Sequence, residues 1–164
     1  MTYNYDYLER VTKKEYSNAL NVNYTYLAGS GVSTTTPLVS DVEIKNGSAS
    51  IIKYSYTYDN VGNILTVKEN GIEKQSFTYD KLGQLTQEDN AYANQTYTYT
   101  YDAAGNITGK YRWEYKDLSM GNGYSTYGYD NATWDDLLTN LDGTTITYDN
   151  MGNPLNWKNI YSLT

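Results

Sequence analysis

The clearest pattern along the chain is a strict alternation of aromatic and hydroxyl side chains. Tyr54, Tyr56 and Tyr58 take one parity, and Ser55 and Thr57 the other. Tyr97, Tyr99 and Tyr101 alternate with Thr98 and Thr100, and Phe77 and Tyr79 with Ser76 and Thr78. Ile146 and Tyr148 alternate with Thr145 and Thr147, while Tyr111, Trp113 and Tyr115 form a further aromatic series. Side chains on a strand point to opposite faces in turn, so a period of two predicts half-buried β-strands. No stretch sustains a helical period. The segment from Trp134 to Leu141 is the one weak helix candidate.

The strands are punctuated by a recurring turn. Tyr-Asp occurs at Tyr5-Asp6, Tyr58-Asp59, Tyr79-Asp80, Tyr101-Asp102, Tyr129-Asp130 and Tyr148-Asp149, with spacings of 21, 22, 28 and 19 residues from Tyr58 onward. The following residues recur as well. Tyr58-Asp-Asn-Val-Gly-Asn-Ile64, Tyr79-Asp-Lys-Leu-Gly-Gln-Leu85, Tyr101-Asp-Ala-Ala-Gly-Asn-Ile107 and Tyr148-Asp-Asn-Met-Gly-Asn-Pro154 share one frame. Tyr5-Asp-Tyr-Leu-Glu-Arg-Val11 fits it with Glu9 in the glycine slot, whereas the Tyr129-Asp130 segment departs after its first four residues.

An Asp carboxylate can accept the backbone N–H two residues on, and glycine reaches positive φ without a Cβ clash. Each segment therefore predicts a tight turn, with Gly62, Gly83, Gly105 and Gly152 left-handed. The residue before each glycine (Val61, Leu82, Ala104, Met151) is expected to tuck beneath its turn. Asn46-Gly47, Asn70-Gly71 and Asp142-Gly143 add hairpin signals between the Tyr-Asp turns.

The chain is thus expected to be all-β, an extended, curved antiparallel meander of repeated β-hairpins. Residues 1–164 are read as one array, with units ending near Tyr5-Asp6, Tyr26, Tyr58-Asp59, Tyr79-Asp80, Tyr101-Asp102, Tyr129-Asp130 and Tyr148-Asp149.

Composition narrows the function. The 164 residues include 21 Tyr, no Cys and no His. Thiolate and imidazole chemistry, disulfides and the usual zinc ligands are excluded. A net charge of −7 with scattered Lys and Arg argues against nucleic acid, which demands a basic stripe. No apolar run approaches the length of a membrane span, and the residues after Met1 carry no basic-then-apolar leader.

The repeated Tyr-Asp-x-x-Gly-Asn units resemble the YD (Rhs) repeats of bacterial Rhs and wall-associated proteins, insecticidal toxin complex B/C components and teneurins. Tyr127 to Trp157 is similar to the last repeats before the core region of bacterial members. The resemblance implies a β-sheet strip, a segment of a spiral shell that encloses a C-terminal toxin or variable domain. It implies a secreted or cell-surface bacterial protein, with the downstream core and toxin domains of the parent chain as partners. Bare sheet edges add self-association to the expected partners.

No catalytic, cofactor or metal site emerges. One Asp-Asn-x-Gly-Asn turn, such as Asp59, Asn60 and Asn63 or Asp149, Asn150 and Asn153, offers two or three oxygens where calcium takes six to eight. Asp135, Asp136, Glu114 and Asp117 contain no pair singled out for glycoside hydrolysis. The residues expected to matter are the structural repeat positions Tyr58, Asp59, Gly62, Tyr79, Asp80, Gly83, Tyr101, Asp102, Gly105, Tyr129, Asp130, Tyr148, Asp149 and Gly152. The alternative reading is a carbohydrate or cell-wall binding module whose exposed rings, among them Tyr56, Tyr99, Trp113 and Tyr127, stack on a glycan.

Overall fold

A computed structural model describes residues 1–31 and 34–156. Trp157 and the residues after it, which close the proposed match to the end of a repeat array, lie outside the described residues. The described chain contains thirteen strands and no helix.

It divides into two compact units, Met1–Thr78 with Asn90–Tyr92, and Tyr79–Asp89 with the described residues from Ala93 onward. The first unit holds β1 (Thr2–Tyr5), β2 (Val11–Glu15), β3 (Leu20–Ala28), β4 (Thr35–Asn46), β5 (Ala49–Tyr58), β6 (Ile64–Glu69) and β7 (Ile72–Tyr79) up to Thr78. The second holds β8 (Leu85–Asn90) up to Asp89, β9 (Gln95–Tyr101), β10 (Ile107–Glu114), β11 (Asp117–Gly128), β12 (Asn140–Leu141) and β13 (Thr144–Thr145). Within each unit, strands adjacent in sequence are adjacent in the sheet and antiparallel.

Register separates the faces of the first unit by chemistry. Tyr24, Val42, Tyr54 and Glu69 form one cross-strand row, and Lys14, Val22, Ile44 and Ile52 its neighbour. The ammonium of Lys14 lies 5.2 Å from the centre of the Tyr24 ring, so even the cation on this face serves aromatic packing. The opposite face carries Lys13, Glu15, Glu43, Lys45, Lys53 and Asp41, with ion pairs Lys45–Glu43 and Lys53–Asp41 both at 3.0 Å.

In the second unit the Tyr97, Tyr99 and Tyr101 face also carries Lys110 and Arg112. Thr98, Tyr111 and Tyr124 share the other face, with Trp113 beside them. Tyr111 stacks on Tyr124 at 6.3 Å, and the Trp113 Nε1–H donates to Thr98 Oγ1 at 2.9 Å.

Very little is fully enclosed. Leu141 and Ile146, at 4% and 3% exposure, are the buried hydrophobic residues among those described. Thr96 is wholly buried; its hydroxyl donates to Asp89 Oδ1 at 2.6 Å and accepts the Lys116 N–H at 2.9 Å. Stability therefore rests on ladder hydrogen bonds, cross-strand side-chain pairs and turns rather than on a thick apolar core.

Trp134 to Leu141 does not form a helix. Asn131 Oδ1 accepts the N–H groups of both Thr133 and Trp134 at 3.0 Å, and a single Leu137 N–H to Trp134 C=O bond follows before β12 begins at Asn140. Asp135 and Asp136 sit exposed in this turn, where local side-chain bonds compete with helix formation.

Candidate functional site

Five Tyr-Asp turns share one construction. In each, Oδ1 of the Asp accepts two backbone N–H groups, from the residues two and four positions on. The pairs are Leu8 and Arg10 for Asp6, and Val61 and Asn63 for Asp59, at 2.9–3.0 Å. Asp80 takes Leu82 and Gln84, Asp102 takes Ala104 and Asn106, and Asp149 takes Met151 and Asn153, at 2.8–2.9 Å. The main chain closes the same loop, for instance with the Asp59 N–H to Asn63 C=O bond at 2.9 Å.

The second carboxylate oxygen takes a side chain: Asn63, Asn106 and Asn153 Nδ2–H groups at 2.9–3.0 Å, and Arg10 Nε–H at 2.7 Å. These bonds hold the carboxylates below their ordinary value of 3.8. Arg10 dominates at Asp6, Asn106 at Asp102 and Asn153 at Asp149. At Asp59 desolvation pushes the other way and is outweighed by bonds from Asn63, Val61 and Gly62.

Gly62, Gly83, Gly105 and Gly152 have φ between +79° and +98°, and Glu9 in the equivalent slot has φ +60°. The residue before them does not tuck beneath the turn. Leu8, Val61, Leu82 and Met151 are 51%, 83%, 81% and 85% exposed, and Ala104 is exposed too. The Asp carboxylate already occupies the inside of the turn, so the side chain at the apex is directed outward.

Tyr129-Asp130 is built differently. The Asp130 N–H donates to Thr139 Oγ1 at 2.9 Å, and Asn131 caps the next turn in its place.

Tyr26 and four of the Tyr-Asp tyrosines share a second role. Hydroxyls donate to backbone carbonyls: Tyr26 to Val11, Tyr58 to Val39, Tyr101 to Leu85, Tyr129 to Ile107 and Tyr148 to Leu138, at 2.6–3.1 Å. Val11, Leu85 and Ile107 each lie five residues after Asp6, Asp80 and Asp102, so the clasp ties one Tyr to the strand that leaves an earlier turn. Tyr26 plays this part with Leu27 in place of the Asp. Tyr79 ends β7 and is half-buried. Partial burial raises the phenol pKa of Tyr58, Tyr101 and Tyr129.

The rings named for glycan stacking are half-buried: Tyr56, Tyr99, Trp113 and Tyr127 all lie within strands and none is exposed. Among the described residues no three Asp or Glu side chains converge as metal ligands.

Residues 75–115 match the RHS Repeat family model. No curated protein matches. Among solved structures, the chain is similar to the Photorhabdus luminescens Tc holotoxin pore carrying the mutation TccC3-D651A, with a TM-score of 0.66 and 16% identity, over 94% of this chain and 9% of that one. It is also similar to the crystal structure of TcdB2-TccC3, with a TM-score of 0.64 and 16% identity, over 93% of this chain and 10% of that one. The chain thus spans about a tenth of the structures whose fold it shares.

Proposed function

We propose that this chain, which carries an RHS repeat at residues 75–115, is a non-catalytic structural segment of a secreted or cell-surface YD-repeat protein. In this reading the array, residues 1–164, contributes strands to a β-shell that encloses a C-terminal toxin or variable domain of the parent. The observation that carries it is the reuse of one folding device. The functional-looking carboxylates Asp6, Asp59, Asp80, Asp102 and Asp149 each accept two N–H groups of their own turn on Oδ1. The clasp tyrosines are likewise engaged with main-chain carbonyls. Groups consumed by folding each unit are not available to a substrate.

The fold shared with Tc toxin structures supports the shell reading. The glycan-binding alternative is not favoured, because Tyr56, Tyr99, Trp113 and Tyr127, the rings it names, are half-buried within strands.

The test is a glycan array and a peptidoglycan pull-down with the intact chain. The expected result is no saturable binding. Binding that saturates, and is lost in Trp113→Ala with the circular dichroism spectrum unchanged, would replace the scaffold reading with the binding one.

A further inference from the structure

The tyrosines of the second unit divide into two kinds. Tyr101, Tyr129 and Tyr148 commit their hydroxyls to main-chain carbonyls, and Tyr97 and Tyr99 direct theirs to Gln95 and Glu88. The hydroxyls of Tyr111 and Tyr124 bond to no described residue. These two rings meet each other instead. They stand directly opposite across β10 and β11, with centres 6.3 Å apart and planes 27° from parallel. The neighbouring Lys110 turns to the Tyr97 and Tyr99 rings on the other face, so among the described residues no cation stands over this pair.

Tyr111 is held in place and Tyr124 is open to solvent. The Tyr111 ring lies back along β10. A Cβ at position 109 would meet its Cε2 at 2.8 Å and its hydroxyl at 3.1 Å, so glycine admits the ring there. Trp113 flanks the ring at 6.4 Å, and its own indole N–H is tied to Thr98. Tyr124 is 71% exposed, so a soluble oxidant reaches the pair from that side. Just past the pair, the β10–β11 register shifts between Arg112 and Trp113 and again between Trp113 and Glu114. The chain has no Cys, so no disulfide fixes that register.

We propose that Tyr111 and Tyr124 form an oxidative cross-linking site, converted to dityrosine by a peroxidase that uses hydrogen peroxide. Each phenol loses one electron and one proton to the oxidant. The two phenoxyl radicals couple through ring carbons ortho to the hydroxyls, and the hydrogen on each of those carbons moves to its oxygen as the rings regain aromaticity. One C–C bond forms, two ring C–H bonds break, and the two electrons and two protons reduce one hydrogen peroxide to two waters. The strand register holds the rings side by side, so coupling needs no diffusive encounter. The bond closes the β10–β11 hairpin into a covalent loop and constrains the unfolded chain as a disulfide would. Tyr3 and Tyr5, with ring centres 6.4 Å apart, are less suited. The Lys14 ammonium, 6.0 Å from the Tyr3 ring, opposes removal of an electron there, and a bond within one strand closes no hairpin. This inference rests on β10 and β11 and does not depend on the shell reading.

The test treats the intact 164-residue chain, in dilute solution, with a haem peroxidase and hydrogen peroxide. Dityrosine fluorescence follows the reaction, and tryptic mass spectrometry maps the product. Trypsin cuts after Lys110, Arg112 and Lys116, so Tyr111 and Tyr124 fall on separate peptides unless they are joined. The expected product is one joined species, lighter than the two peptides together by two hydrogens. Its yield from the folded chain should exceed that from the urea-unfolded chain by about tenfold or more. Tyr124→Phe abolishes it with the circular dichroism spectrum unchanged, Tyr3→Phe leaves it, and the cross-linked chain melts at a higher temperature than the parent. Dityrosine formed between chains, or at Tyr3 and Tyr5, in place of this pair overturns the proposal. So does equal yield from the unfolded chain, or an oxidised chain in which the two peptides stay separate.

Discussion

A single aspartate closes each turn by accepting two main-chain N–H groups at once, so its loss leaves both without their partner. Asp102→Ala is expected to lower the urea unfolding midpoint, whereas Asp130→Ala, whose side chain makes no such bonds, leaves it close to that of the parent. Gly83, at φ +79°, is expected to lose about 1–2 kcal/mol on substitution by Ala. Glu9→Gly relieves the same strain at φ +60° and is expected to raise the melting temperature. The carboxylates of Asp6, Asp59, Asp102 and Asp149 titrate below 3.8 when folded. Their contribution is therefore complete above that value and is lost as the pH falls through the folded pKa values. Thermal melts should be flat from about pH 7 to 5 and drop steeply below about 4, with a shallower acid limb in Asp59→Asn/Asp102→Asn/Asp149→Asn. At the alkaline end, burial and then the Glu88 charge push the Tyr99 phenol up to about 12. Stability tied to the neutral ring is full below 10 and lost as the pH rises towards 12, which phenolate absorbance would follow.

At the scale of the strand pair, the tyrosine clasp gives a sharper contrast than ring burial does. Tyr101→Phe leaves the Leu85 carbonyl without its hydroxyl donor and is expected to cost about 1 kcal/mol. Tyr56→Phe, where the hydroxyl makes no such bond, should be near neutral by the same unfolding assay. The strands around Tyr54–Tyr58 and Tyr97–Tyr101 were legible because period two needs no tertiary information. The Asn70-Gly71 and Asp142-Gly143 hairpins were legible because both residues of each take positive φ, at 49° and 82°, and 51° and 81°. Other reversals carry no such mark: Ala19, Asn94 and Lys116 adopt φ of 67°, 53° and 57° with no glycine following. There tertiary pairing imposes the turn on an indifferent sequence. The outward apex residues were misread for a related reason. Apolar character suggests burial, but the space inside the turn had gone to a carboxylate that the sequence places only by geometry. The clasp partners could not be read from sequence, because they depend on register.

For the whole molecule, protection should follow how completely strands are paired. β3, β4 and β5 are held along registers of six to eight residue pairs, whereas β12 and β13 share two. Hydrogen exchange is therefore expected to release the amides of β12 and β13 well before those of β4. Exposed β1 is a sheet edge among the described residues, and light scattering should show association rising with concentration. A strict monomer up to crystallisation concentrations would contradict that. Circular dichroism showing more than about a fifth helix would contradict the fold itself.

Where the hairpins reverse away from the Tyr-Asp turns, no fixed device exists. The links are two residues at Asn70-Gly71, four between β8 and β9, and two at Tyr115-Lys116. The turns at Asp6, Asp59, Asp80, Asp102 and Asp149 are thus locked, while the reversals at the other ends of those strands differ in length. The array is expected to accept insertions or a grafted loop at Gly71, which has open space around it, without shifting the frame of the next unit, so new surface features can be acquired there while the scaffold is inherited unchanged.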